Sequence, residues 1–144
     1  MVKVGFYRGS GFISWLIRLR TWGQYSHCSI IFDNIVIDAI PFHGVESGGI
    51  EKLKDADIFS VNCTIEQTAI IRSFAVHQVG KPYDILAILK LAVNYKENRR
   101  MSEEWFCSEL VTAALRKGGV AILPEYKAWE INPSMLSKSE LLSK

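Results

Sequence analysis

The sequence predicts an α+β domain. Strands and helices fall in largely separate runs: after one early helix, short β-like segments follow one another to Asn62, and helical segments then dominate to Lys117. Two of the β-like segments are separated only by Asp33-Asn34, a spacing that makes an antiparallel hairpin. The chain has 144 residues, 49% hydrophobic and 22% charged, with no Pro/Gly/Ser linker, repeat or low-complexity run to divide it, so one domain over residues 1–144 with its own core is expected.

In chain order, Val2 to Arg8 reads as a short strand ended by Gly9-Ser10-Gly11. Ile13, Leu16, Ile17 and Leu19 recur at helical spacing, which predicts a helix from Ile13 to Arg20, with a loop at Thr21–Gln24. Ser26–Phe32 and Ile35–Ile40 are the hairpin strands, and Pro41 ends the second. Ile50–Asp55 reads as a polar connection and Ile58–Asn62 as a strand. Thr64 with Gln67 three residues on fits a capping box for a helix to about Val79, stopped by Gly80-Lys81-Pro82. A second apolar helix is expected from Tyr83 to about Tyr95, then a charged loop at Lys96–Met101. A third helix starts at Glu103 or Trp105 and runs to Lys117, closed by Gly118-Gly119. From Val120 a short strand, irregular chain and a terminal helical turn complete the chain.

Composition excludes several classes. The formal net charge of +2 does not imply a nucleic-acid partner. Lys3, Arg8, Arg18 and Arg20 precede the first acidic residue, Asp33, which fits either a solvated helix face or a surface for anionic ligands. Cys28, Cys63 and Cys107 are odd in number and widely spaced, which argues against a disulfide scaffold. No metal-ligand spacing such as C-x-x-C is present, and no cofactor or metal is expected. No apolar run approaches the ~20 residues of a membrane span. The N-terminus lacks the pattern of a signal peptide, so a cytoplasmic location is expected.

The hairpin carries chemistry. If Asp33-Asn34 is a two-residue turn, Ser29 faces Asp38 and His27 faces Ile40, and side-chain alternation puts His27, Ser29, Asp38 and Ile40 on one face. His27 and Asp38 are then diagonal neighbours, the base and orienting carboxylate of a nucleophilic triad. Cys107 is the candidate nucleophile, because a helix start stabilises a thiolate and, if the helix begins at Cys107 itself, its amide can help bind an oxyanion. Bland readings stand beside these: a buried apolar cysteine, a hydrogen-bonded core histidine, a strand-edge aspartate. Cys28 points to the opposite sheet face and reads as core. Cys63 ends a strand, His43 falls outside the shared face or lines a cleft, and His77 is a helix surface or packing residue.

Five segments in order resemble a known family: Tyr25-Ser26-His27-Cys28-Ser29-Ile30, Val36-Ile37-Asp38-Ala39-Ile40-Pro41, Gly80-Lys81-Pro82-Tyr83-Asp84, Phe106-Cys107-Ser108-Glu109-Leu110-Val111 and Ile131-Asn132-Pro133-Ser134-Met135-Leu136. Together they resemble the circularly permuted branch of the NlpC-type peptidases, the YaeF/YiiX-like group of the papain-like superfamily, in which the histidine strand precedes the cysteine helix. Where that family commonly has Glu or His as third polar residue, this chain has Asp38. The resemblance implies a small antiparallel sheet packed against helices, with the active cleft between sheet and nucleophile helix.

The chemistry expected is acyl transfer by Cys107, with His27 as base and Asp38 as orienter. Tyr25 and Ser108 are candidate oxyanion or substrate contacts, although Ser108 and Glu109 equally suit support of the helix start. Three functions follow as alternatives. The first is hydrolysis of an amide in a cell-wall-like or isopeptide-type peptide. The second is ester or thioester chemistry on lipid acyl groups, for which the basic N-terminal segment and the Ile13, Trp15, Leu16 helix would supply membrane or lipid contact. The third is an inactive binding module of the same fold. The oligomeric state is open.

Overall fold

An apolar residue at every second position makes the N-terminal segment fit the middle of a sheet, where one side meets a core and both edges are paired. The computed structural model describes residues 1–84 and 104–144. In it Val2–Tyr7 is β1, bonded antiparallel to β2 (His27–Phe32) on one side and to β5 (Asp57–Val61) on the other. β3 (Ile35–Ile40) follows β2 through the Asp33-Asn34 turn, with Phe32 facing Ile35 and Ile30 facing Ile37. Asp33 takes the left-handed φ of 51° that this tight turn needs. β4 (Gly44–Gly48) and β6 (Leu142–Ser143) form the two edges, giving the order β4-β3-β2-β1-β5-β6. All these ladders are antiparallel.

Among the described residues the α-helices are α1 (Phe12–Thr21), α2 (Ile65–His77), α3 (Cys107–Lys117) and the short α4 (Pro133–Leu136), so the class is mixed α+β. α2 starts where the capping box requires. The Gln67 amide donates to Thr64 Oγ1 at 3.2 Å, and the Thr64 amide donates to Gln67 Oε1 at 3.0 Å. On α3, Cys107, Leu110, Val111, Ala114 and Leu115 are buried, the i, i+3, i+4, i+7, i+8 stripe of a core helix. That stripe lies against the sheet face formed by Val4, Phe6, Cys28, Ile30, Ile37 and Ala39. Among the described residues no helix is long and apolar enough to cross a membrane.

Three expectations need correction, and one element is new. Gly44–Gly48, to which the sequence assigns no element, is an edge strand; two glycines and a serine carry little intrinsic β preference, and pairing with β3 decides the matter. Val120 is buried without joining the sheet, and Leu142–Ser143 pairs with β5 instead. Tyr83 does not open a helix: it bridges in parallel to Trp105, and the rest of the expected helix to Tyr95 and the loop Lys96–Met101 lie outside the described residues. Because Trp105 is spent in that bridge, α3 starts at Cys107 rather than at Glu103 or Trp105.

Removing the Thr64 cap is expected to cost about 1 kcal/mol. Urea unfolding of Thr64→Ala measures this, and an unchanged midpoint would show that the cap contributes nothing.

Candidate active site

His27 is the first residue of β2, and the register pairs it with Tyr7 while Cys28 pairs with Phe6. Alternation therefore sends Cys28 to the helix-covered core and His27 to the other face, beside the Tyr7 ring at a centroid distance of 5.3 Å. Asp38 on β3 shares that second face. Its Oδ2 lies 3.5 Å from His27 Nε2, with the two side chains 7% and 24% exposed. Lys52 Nζ lies 3.5 Å from the other oxygen, Asp38 Oδ1. These groups line a cavity of about 400 Å³ with Tyr7, Ser14, Ile17, Ile40, Pro41 and Tyr83.

Cys107 arrives from the opposite side. The amphipathic stripe of α3 seats the helix on β2 and β3, which brings its first residue to the end of the sheet where His27 sits. The Phe106 amide before it donates to Glu109 Oε2 at 3.5 Å, so Glu109 supports the helix start. Cys107 is 1% exposed, and its thiol lies near enough to His27 and Cys28 to feel both electrostatically. The segment before the helix is held in turn by the Asp84 amide on the Trp105 carbonyl (3.2 Å) and the Trp105 amide on the Pro82 carbonyl (3.1 Å). Gly80 and Lys81 bond to Val45 of β4, and Gly44 must be glycine there: its φ is 87°, and a Cβ would stand 2.5 Å from the Lys81 carbonyl oxygen. This lacing delivers Tyr83 to the cavity wall.

The electrostatics favour a charged couple. Burial alone would push the Cys107 thiol up, but hydrogen bonds from Cys28 and His27 and the charge of His27 hold it well below the usual thiol range. Burial works against the His27 imidazolium too, yet Cys107 and Asp38 more than offset it, and its pKa is raised to about 9. Burial and the neighbouring Cys107 push the Cys28 thiol up, so Cys28 stays protonated and acts as a donor. The Tyr83 phenol is also raised, by burial and then by Cys107 and Cys28. At neutral pH these shifts favour thiolate and imidazolium for the Cys107–His27 pair, with the Asp38 carboxyl beside the ring.

Two expected contacts sit elsewhere. Tyr25 is buried against Phe6, and its hydroxyl donates to Asp57 Oδ2 at 2.8 Å, so it does not reach the cavity. Ser108 follows Cys107 on the helix and therefore points about 100° away; it is fully buried and donates to the Ile131 carbonyl at 2.6 Å. His43 is exposed beside Glu46 at 3.4 Å, and His77 ends α2 with Nδ1 3.1 Å from the Ser73 carbonyl. Arg8 pairs with Asp57 at 2.9 Å, and Arg18 donates to the Arg8 and Gly9 carbonyls, so both serve local structure. Within the closing segment Asn132 caps α4 through the Met135 amide, and Ser134 Oγ accepts from the Tyr25 amide at 2.9 Å, pinning the entry to β2. Cys28, Tyr7, Lys52 and Tyr83 were missed as neighbours of the centre. Only Tyr7 had a sequence signal, through its place in an alternating strand ending opposite His27. Among the described residues no cluster of His, Cys, Asp and Glu could hold a metal ion.

No protein-family model matches the chain, and no curated protein sequence is significantly similar to it.

Two measurements follow. A thiolate is lost as pH falls through its own pKa, and here that pKa is depressed, so Cys107 stays reactive at pH 6 where an ordinary thiol is protonated. Iodoacetamide labelling at pH 6, read by peptide mass spectrometry, is expected to modify Cys107 at least ~10-fold faster than Cys63, with Cys28 unlabelled; equal rates would rule out an activated thiolate. Ser108→Ala is expected to lose about 1–3 kcal/mol of stability through the orphaned Ile131 carbonyl while Cys107 labelling keeps its rate. A fall in that rate with stability unchanged would return Ser108 to the site.

Proposed function

We propose that this chain is a cysteine hydrolase of permuted papain-like, NlpC-type architecture that cleaves an amide bond through an acyl-enzyme on Cys107. The observation that carries this is the placement of Cys107, at the first position of α3, within electrostatic reach of His27, whose Nε2 lies 3.5 Å from Asp38 Oδ2. Nucleophile, base and orienting carboxylate come from three separate elements, which is the arrangement covalent acyl transfer needs.

The thiolate attacks the substrate carbonyl carbon, a C–S bond forms, and the carbonyl π electrons move to oxygen. The Cys107 amide, which has no intrahelical partner at the first position of the helix, and the Tyr83 phenol beside the thiol are the donors at hand for that oxyanion. Collapse breaks the C–N bond as the His27 imidazolium gives its proton to the leaving amine. His27, now neutral, takes a proton from water, the hydroxide attacks the thioester, and the acid and the Cys107 thiolate are released. Asp38 holds the ring throughout.

A second substrate class has a specific observation behind it. Ile17, Ile40, Pro41 and the Tyr7 and Tyr83 rings give the cavity an apolar wall, which suits a lipid ester or thioester acyl chain handled by the same three residues.

The test is a panel of peptidoglycan fragments and other isopeptides against acyl esters and thioesters. The wild-type chain is expected to turn over members of one class, and Cys107→Ala to lose that turnover entirely while keeping its circular dichroism spectrum. Full activity in Cys107→Ala would remove it as nucleophile. Ligand binding without turnover of any class would identify an inactive binding module.

A further inference from the structure

We propose that Lys52 is a positioning residue of the centre: its ammonium, laid across Gly48, bridges Asp38 and Glu46 and so sets which carboxylate oxygen, and how much of its charge, His27 receives. This rests on the Cys107–His27–Asp38 reading given above. β3 and β4 pair with Asp38 directly opposite Glu46, which places two carboxylates side by side on one face. Like charges directly opposite on neighbouring strands repel. Lys52 Nζ resolves the conflict, standing 3.5 Å from Asp38 Oδ1 and 3.5 Å from Glu46 Oε2. Asp38 thus divides its oxygens, Oδ1 toward Lys52 and Oδ2 toward His27. A carboxylate held at both oxygens cannot rotate to offer His27 the other one.

The approach of Lys52 is built into the backbone. Gly48-Gly49 ends β4, and a short 3-10 turn, Ile50–Leu53, folds Lys52 back over the strand. A Cβ on Gly48 would stand 2.5 Å from Lys52 Cε and 2.8 Å from Cδ, so an alanine there would make the end of the Lys52 stem shift. Lys52 is 27% exposed and lines the same cavity as His27. The other groups around His27 are Tyr7 from β1, Cys28 from β2 itself, Cys107 from α3 and, beyond Cys107, Tyr83; Glu46 of β4 acts through Lys52 and is shared with His43. Among these described groups, Lys52 supplies the fixed positive charge opposing the pull of Asp38 on the imidazolium.

The experiment is an NMR titration of the His27 imidazole in the intact chain, with Cys107 alkylation followed in parallel. Lys52→Met leaves Asp38 unopposed, and the His27 midpoint is expected to rise from about 9. The expected rise is about half a pH unit or more. Lys52→Arg is expected to restore the midpoint, and Lys54→Met, which removes the same charge from an exposed site two residues on, to leave it in place. Gly48→Ala keeps every charge but displaces the Lys52 stem, and is expected to shift the midpoint in the same direction as Lys52→Met. An unchanged midpoint in Lys52→Met, or an equal shift in Lys54→Met, overturns the role. Should Lys52→Met fail to fold, Lys52→Gln decides in its place: a rise supports the role and no change overturns it. A wild-type Cys107 that alkylates no faster than Cys63 overturns the underlying couple and this role with it. Fast Cys107 with an unmoved midpoint overturns the role of Lys52 alone.

Discussion

The structure depends on the burial of α3 against the core face of the sheet. Cys107, Leu110, Val111, Ala114 and Leu115 form the stripe that covers Cys28, Ile30, Ile37 and Ala39, and the helix can satisfy that stripe in only one rotation about its axis. Its first residue is part of the stripe. The packing that stabilises the fold therefore also drives Cys107 against the end of β2, where His27 hangs on the opposite face. Ser108, one position on, is turned toward Ile131 by the same rotation and ties the closing segment to the helix.

Burial at that contact sets the chemistry. A thiol and an imidazole that are both mostly removed from water resist charging individually, yet each charged form stabilises the other, and proton transfer between them yields an ion pair inside the protein. The protonated Cys28 thiol adds a donor from the core side, and Asp38 braces the imidazolium from the cavity side. The run of alternating charge continues through Lys52 to Glu46, which also lies beside His43 on the surface. Repulsion between the facing carboxylates of β3 and β4 explains why a cation is needed there, independently of any catalytic role.

The legible parts of the fold were those governed by local rules. The capping box at Thr64 formed as written because its donors and acceptors lie within three residues of each other. The Asp33-Asn34 turn set the hairpin register, and with it the shared face of His27 and Asp38, since a one-residue slip would bury the polar set and expose Ile30 and Ile37. The edge strand Gly44–Gly48 escaped notice because its residues have weak β preference and its backbone partners, β3 and the Gly80-Lys81 segment, are supplied by the tertiary structure. Tyr25 was misplaced for a related reason: nothing near it in sequence reveals that Asp57, on a strand two positions away in the sheet, would accept its hydroxyl proton.

By itself the sequence determined the strand–helix order, the hairpin and the pairing of His27 with Asp38, because alternation and turn geometry act over a few residues. It marked Cys107 as a cysteine at a helix start. Only the tertiary structure decided that α3 begins at Cys107, that Cys28 lies beside it as a thiol donor, and that Lys52 reaches Asp38 over Gly48. Those contacts join segments far apart in the chain or cross between strands. Their geometry follows from how the apolar faces pack, which no local pattern of residues encodes.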